Sequence, residues 1–276
     1  MTRTRTIPAR VTVPSKPKWN AADYAANSSI QQSWARELIA RLDLRGDERI
    51  LDVGCGDGKV TAEIARAVPR GVVVGIDASP EMVRFARKTF RKHPQLEFQA
   101  MDARKIQSPR RFDLIFSNAT LHWVDDHQAV LRGMAAVLEP GGKLIVSCGG
   151  KGNAQDVFLA LRPEMRQKRW AGHFRKMPRP YFFYSPADYE KWLPECGFKI
   201  QNVALVPKDA AYSGPEGFAA WLRTTWLPYV QRVPENQREE FIAAVKDRYL
   251  AQHPPDAENK VHVRMVRLEI DATRLS

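Results

Sequence analysis

The chain has 276 residues, 44% of them hydrophobic and 27% charged, and carries a net charge of +12. That composition is globular and long enough for one large α/β domain with elaborations, and no apolar run approaches the roughly 18 residues of a membrane span. The basic residues are scattered, with modest clusters over 84–92 and 162–176, and no zinc finger or ribonucleoprotein sequence accompanies them. The charge by itself therefore does not call for a nucleic acid.

Residues 1–18 are basic and proline-containing but lack the apolar core of a secretory signal, so they read as a flexible arm. Apolar residues then recur at helical spacing from Ala26 to Leu42. Arg49–Val53 is a short apolar strand, Gly58–Val68 returns to helical period, and the β-branched run Val72–Ile76 is a buried strand. Ser79 and Pro80 suit the cap and first position of another helix. Leu96–Ala100 and Phe112–Ser117 are strands, Asp126–Leu138 is a helix closed by Pro140-Gly141-Gly142, and Lys143–Cys148 is a strand. This alternation predicts a doubly wound α/β sheet with helices on both faces, occupying residues 19–150.

After Gly150 the rhythm changes. Ala154–Trp170 reads as a helix, Met177–Pro186 as an aromatic loop, Ala187–Cys196 as a helix and Phe198–Val206 as a strand. Two amphipathic helices follow, Pro215–Val230 and Pro234–His253, before a last strand at Val261–Ile270. The expected organisation is one domain in which residues 151–196 and 208–258 form a helical and aromatic lid, while 197–207 and 259–276 complete the sheet. Cys55, Cys148 and Cys196 are an odd set whose spacings suit neither a disulfide nor a metal. All three lie in or beside apolar runs, so they are expected to be buried and inert, as in a cytoplasmic protein.

The junction Ile50–Ala65, ILDVGCGDGKVTAEIA, carries the chemistry. A dinucleotide loop needs a third glycine where Lys59 or Thr61 stands, and no phosphate-loop G-K-[ST] follows. Asp52 precedes the first glycine, where an acid repels a pyrophosphate and suits a cationic amino group. Asp77 ends the second strand, where a carboxylate can accept from ribose hydroxyls. Asp102 follows the third and could accept from an adenine amino group. Backbone N–H groups beside a helix N-terminus suit a ligand carboxylate. Amine, carboxylate, ribose and adenine at one sheet edge describe S-adenosylmethionine.

Leu51–Gly58 (LDVGCGDG), Gly75–Met82 (GIDASPEM), Ala100–Ala103 (AMDA), Phe112–Val124 and Leu138–Ser147 resemble, in order, the motifs of class I S-adenosylmethionine-dependent methyltransferases. The resemblance implies a Rossmann-like seven-stranded sheet with its last strand antiparallel. It also implies cofactor contacts from Asp52, Gly54, Cys55, Gly56, Asp77, Ala78, Met82, Asp102, Ala103 and Asn118, the last through side chain or backbone. Within that superfamily Trp19–Leu42, Ser117–His127 and Phe218–Val233 resemble the trans-aconitate methyltransferase group, which esterifies carboxylates. That likeness implies that Tyr24 and Gln31 close over the cofactor. The stretches Gly149–Trp170 and Met177–Pro186 depart from the group.

Methyl transfer is an in-line displacement, and a carboxylate acceptor, ionised near neutrality, needs no general base, whereas a hydroxyl, amine or carbon acid does. His122 is the candidate catalytic residue, facing substrate with Trp123, and a packed structural histidine is its alternative. Arg162, Arg166, Arg179 and Arg223 are candidates to clamp an acid, with Tyr181 and Trp226 as parts of an apolar wall. The expected partner is a small acidic acceptor, and the chain is expected to be a monomer or homodimer. An amine, a carrier-linked malonyl group or an isoprenoid carbon is the alternative acceptor, and a basic RNA-binding protein the alternative of another kind.

Overall fold

The computed structural model describes Trp19, Ala21 and residues 29–276; the expected arm and Tyr24 lie outside the described residues. Seven strands, β1 (Arg49–Val53), β2 (Val72–Asp77), β3 (Leu96–Ala100), β4 (Phe112–Asn118), β5 (Leu138–Gly149), β6 (Phe198–Ser213) and β7 (Lys260–Arg274), form one sheet. Their order is β3-β2-β1-β4-β5-β7-β6, parallel from β3 through β5, with β7 antiparallel to both its neighbours. Strand order reverses between β1 and β4, and the carboxyl ends beside that switch are where an open α/β sheet binds its ligand.

Strands covered on both faces read as largely apolar runs; Val72–Ile76 of β2 does, and the polar residues of β1 and β4 fall at Arg49, Asp52, Asp113, Ser117 and Asn118. On one face Ile50, Val73, Leu114 and Phe116 pack with Ile64 of helix α2 (Lys59–Ala67) and with Ala35 and Leu38 of α1 (Ser29–Ile39). On the other, Leu51, Val74 and Ile115 meet Val130, Leu131 and Met134 of α4 (His127–Val137). Between β2 and β3 runs α3 (Pro80–Thr89), where Ser79 Oγ accepts from Met82 N at 3.3 Å, the expected cap.

Past β5, helices α5 (Gln155–Arg166), α6 (Ala171–Phe174), α8 (Gly214–Thr225), α9 (Leu227–Val230) and α10 (Arg238–Leu250) share one aromatic-rich core with the inner face of β7, while α7 (Pro186–Glu195) packs with α4. Trp34 of α1 belongs to that same core, so the first helix bridges the sheet and the aromatic layer. No helix among the described residues is long and apolar enough to cross a membrane.

The structure departs from the sequence reading in several places. Strand β6 continues past Val206 to Ser213, so residues 208–213 are sheet and not lid. It is an edge strand paired only with β7, so Pro207, lacking an N–H, is tolerated there. The helix expected over Ala154–Trp170 ends at Arg166, and the one over Pro215–Val230 breaks at Trp226, with Pro228 in the first turn of the helix that restarts. Strand β5 pairs with β4 at Leu138 and again from Lys143, with residues 139–142 bulged out between. Cys55 and Cys148 are buried and burial raises both thiols, that of Cys148 to about 12. Cys196 is only partly buried, though its thiol is raised as well.

Candidate functional site

Between β1 and α2 the chain turns through Gly54, Gly56 and Gly58, all left-handed at φ 84°, 53° and 84°. Each is a conformation that a β carbon opposes. Space opposes it too: a β carbon on Gly54 would lie 2.0 Å from Thr120 Oγ1, and one on Gly58 would lie 2.9 Å from Ala86 Cβ. The backbone of this loop is thereby laid open along a cleft, walled by Asp52, Gly54, Gly56 and Asp57 on one side and by Asn118 and Ala119 on the other. Gln32 of α1 lines the same cleft. Gln31, the expected residue, is helical, but its side chain lies outside the described residues.

Three carboxylates attend the loop. Asp52 is 2% exposed and accepts from Thr61 Oγ1 at 2.7 Å. Burial pushes its carboxyl up to about 7 against that hydrogen bond, and the charge of Asp77 adds to the rise. Asp77 accepts from Gly56 N at 3.1 Å and Ser79 N at 2.8 Å, so it ties the loop to the end of β2 while burial raises its carboxyl. Asp57, which the sequence reading passed over, is buried and accepts from Lys59 N at 3.2 Å. Its Oδ2 lies 3.5 Å from Lys59 Nζ and has no hydrogen-bond partner among the described residues.

At the third strand's end Asp102 stands in an Arg104 clamp. Arg104 N and Nε donate to Oδ1 at 3.0 and 3.1 Å, and Nη2 to Oδ2 at 2.6 Å. Asp102 caps a 3-10 turn over Ala103–Lys105, which brings the arginine back onto it, so the carboxylate expected to accept from adenine is ion-paired with Arg104. Met82 and Ala103 are buried and Ala78 is exposed.

Beyond β4 the chain makes a 3-10 turn over Leu121–Trp123. There Gly149 N donates to His122 Nδ1 at 3.2 Å. With Nδ1 an acceptor, the ring proton is on Nε2, and the imidazole presents a donor. Burial, reinforced by the charge of Arg267, pushes His122 down to about 3. Phe182 N donates to His122 O at 2.8 Å, fixing the aromatic loop to this turn. Trp123 is partly buried, while Tyr181 and Trp226 are 6% and 4% exposed and belong to the aromatic core.

The expected acid clamp is dispersed. Arg162 and Arg166 are exposed, Arg179 Nε donates to Tyr181 O, and Arg223 pairs with Glu239 at 2.6 Å. The cation that does stand by His122 is Arg267 on β7, 4% exposed. It donates to Ser147 O at 2.6 Å, to Ser147 Oγ at 3.1 Å and to Asn118 Oδ1 at 3.0 Å, and lies 5.2 Å from the centre of the Trp34 ring. Period-two burial was the signal for it: Val261, Val263 and Met265 face inward, and Arg267 and Glu269 continue the same phase. Glu269 is met by Arg41 Nη2 at 2.9 Å.

The residues fit S-adenosylmethionine by their acceptors and by the room the glycines leave. The buried acids Asp52 and Asp57 suit an ammonium, and the partly buried Asp77 suits vicinal hydroxyls. The N–H groups of Gly54, Cys55, Gly56 and Gly58 are spent within the fold on Ile76 O, Asp77 and Cys55 O. A family model described as a methyltransferase domain matches residues 50–142. An uncharacterized methyltransferase of Schizosaccharomyces pombe is 33% identical over 222 residues, 79% of this chain and 84% of that protein. The trans-aconitate 2-methyltransferase of Methylobacterium nodulans is 28% identical over 262 residues, 93% of this chain and 98% of that one. Phosphoethanolamine N-methyltransferase 2 of Haemonchus contortus, solved with S-adenosyl-L-methionine, superposes with a TM-score of 0.59 at 17% identity, over 93% of this chain and 58% of that one. The last is a likeness of fold alone.

Proposed function

The chain belongs to the class I S-adenosylmethionine-dependent methyltransferases, and we propose that it transfers the methyl group to a carboxylate oxygen of a small acid. The observation that carries this reading is the hydrogen bond from Gly149 N to His122 Nδ1. It leaves the imidazole as an Nε2–H donor, and a ring pushed down to about 3 is a poor base at neutral pH. An acceptor that must lose a proton is badly served by such a group, and a carboxylate has no proton to lose. When bound, S-adenosylmethionine would supply an electrophilic sulfonium methyl group whose leaving group is a neutral thioether.

The chain's own residues hold and orient. We assign the ammonium to the neighbourhood of Asp52 and Asp57 and the ribose hydroxyls to Asp77. Cys55 and Gly56 contribute backbone, with Met82 and Ala103 as buried neighbours of the adenosine end. Asn118, whose side-chain oxygen is engaged by Arg267 and whose carbonyl accepts from Thr120 Oγ1, borders the same cleft. Residues 151–196 and the helices over 214–250 act as the lid that keeps water out. The likeness to trans-aconitate 2-methyltransferases over nearly the whole chain supports an acid as acceptor.

The test is a methylation screen with labelled cofactor against separate pools of carboxylic acids, amines and RNA, followed by mild base. Label released by base is an ester and is the expected outcome; label retained on an amine or RNA overturns the reading.

A further inference from the structure

We propose that His127 is a positioning residue for cofactor binding, which holds the cleft wall at Asn118 and Ala119 in place through the Leu121 carbonyl while Tyr189 braces its ring. The inference concerns the cofactor and is independent of which acceptor takes the methyl group.

The wall stands in a conformation that its own residues do not favour. Ala119 lines the cleft and is left-handed at φ 57°, which a β carbon opposes. Such a residue persists only where its surroundings over-determine it. Ala119 N donates to Ser147 O at 2.8 Å, and Thr120 Oγ1 lies 3.2 Å from Gly54 O and 3.1 Å from Asn118 O. Leu121, the next residue, is buried, and two donors meet its carbonyl. Val124 N closes the 3-10 turn at 2.9 Å, and His127 Nε2 ties that turn to the start of α4 at 2.7 Å.

Chemistry fixes the direction of the second bond. A carbonyl only accepts, so the His127 proton is on Nε2, and Nδ1 must accept in its turn. The Tyr189 hydroxyl of α7 is bonded to Nδ1 and is therefore the donor. Both side chains are buried. The Tyr184 ring stands edge-on to the imidazole at 4.6 Å, and the Tyr184 hydroxyl donates to Asp125 O at 3.3 Å. Burial pushes His127 down to about 4, so the ring is neutral near neutral pH, as an accepting Nδ1 requires. The helix does not need this imidazole as a cap, because Asp126 Oδ1 already accepts from Ala129 N at 2.9 Å. A chain of hydrogen bonds thus runs from α7 through Tyr189 and His127 to Leu121, whose neighbour Thr120 touches Gly54 of the glycine loop.

The test uses the full chain, calorimetric titration of S-adenosylhomocysteine and nitrogen-15 NMR of the histidine rings. In wild type at neutral pH the His127 ring should carry its proton on Nε2 alone; a ring protonated on Nδ1, or on both nitrogens, overturns the inference. His127→Leu fills the space without a donor and should weaken binding by about threefold to tenfold, the worth of one net hydrogen bond. His127→Gln keeps an N–H at the same reach from the backbone and should restore most of the wild-type affinity. Equal losses in the two variants, or a loss in neither, overturn the inference, since the imidazole then only fills space. If circular dichroism shows that His127→Leu misfolds, Tyr189→Phe replaces it. Removing that hydroxyl should shift the Nδ1 resonance and weaken the ligand, and wild-type affinity in Tyr189→Phe overturns the inference.

Discussion

Arg267 Nη2 donates to Asn118 Oδ1 at 3.0 Å, joining the end of β4 to a strand that follows it by 149 positions. The two do not touch through neighbouring strands, since β5 lies between β4 and β7. The arginine reaches over Ser147 of β5, bonding its carbonyl and hydroxyl on the way. A buried cation is thereby fixed beside Asn118, which lines the cleft at the glycine loop.

Replacing that arginine tests the link. Arg267→Met strips donors from Ser147 and Asn118 and is expected to destabilise the chain by about 1–3 kcal/mol in denaturant unfolding. It should also let the His122 imidazole rise from about 3, short of its ordinary value, because burial is the larger cause of the depression. A proton NMR titration in which the His122 pKa stays unmoved would show that the charge of Arg267 does not reach it.

The glycine loop makes a steric prediction. Gly54→Ala places a β carbon at φ 84° and 2.0 Å from Thr120 Oγ1, with the Thr120 Cβ itself at 2.5 Å. Strain and overpacking together should cost about 2–5 kcal/mol and abolish measurable cofactor binding in calorimetry. A variant with wild-type stability and affinity would refute the loop geometry.

Asp52 links cofactor binding to pH. Its carboxyl is up to about 7 in the folded chain, against about 4 when unfolded. The ligand-free fold therefore binds a proton that the unfolded chain lacks, and this group's effect is to lower stability as pH rises from about 4 to about 7. A cationic ligand favours the ionised form. Affinity should climb with pH below about 7, by at most about tenfold per unit, and level off above it. Calorimetry across that range in buffers of different ionisation heat reads the released proton, and Asp52→Asn should flatten the slope. A slope that survives in Asp52→Asn belongs to another group.

A second titration lies far from the site. His262 Nδ1 meets Asp209 Oδ2 at 2.6 Å and Nε2 meets Asp256 Oδ2 at 2.9 Å, and the two carboxylates raise its pKa above 6.5. A raised histidine contributes stability that is full below its unfolded pKa and lost as pH rises through the folded one. The thermal midpoint of wild type should fall relative to His262→Gln as pH moves upward from about 6.5. Parallel curves for the two proteins would show that the clamp contributes nothing.

Much of this molecule was legible in the linear chain because its signals are local. The strands β1 and β3 fall at the bounds expected of them, and three glycines among Asp52, Asp77 and Asp102 pointed to a cationic, adenosine-bearing ligand. Ser79 and Pro80 marked a helix start because a cap needs only the next three residues. A turn's backbone and a strand's end are decided within a few positions, so their chemistry can be read there.

What only the tertiary structure decided involves partners distant in sequence. The tautomer of His122 is set by Gly149 N across two strand ends, and its low basicity by burial and by Arg267. The clamp of Arg104 on Asp102 and the scattering of the lid arginines depend on which side chains packing leaves within reach. Spacing along the chain carries no record of desolvation, which depends on everything that folds over a group. The sequence by itself determined the fold and the cofactor. The surroundings of His122, a neutral imidazole beside a buried cation and a wall of rings, arise from contacts that exist only once β7 and the aromatic loop have closed on β4.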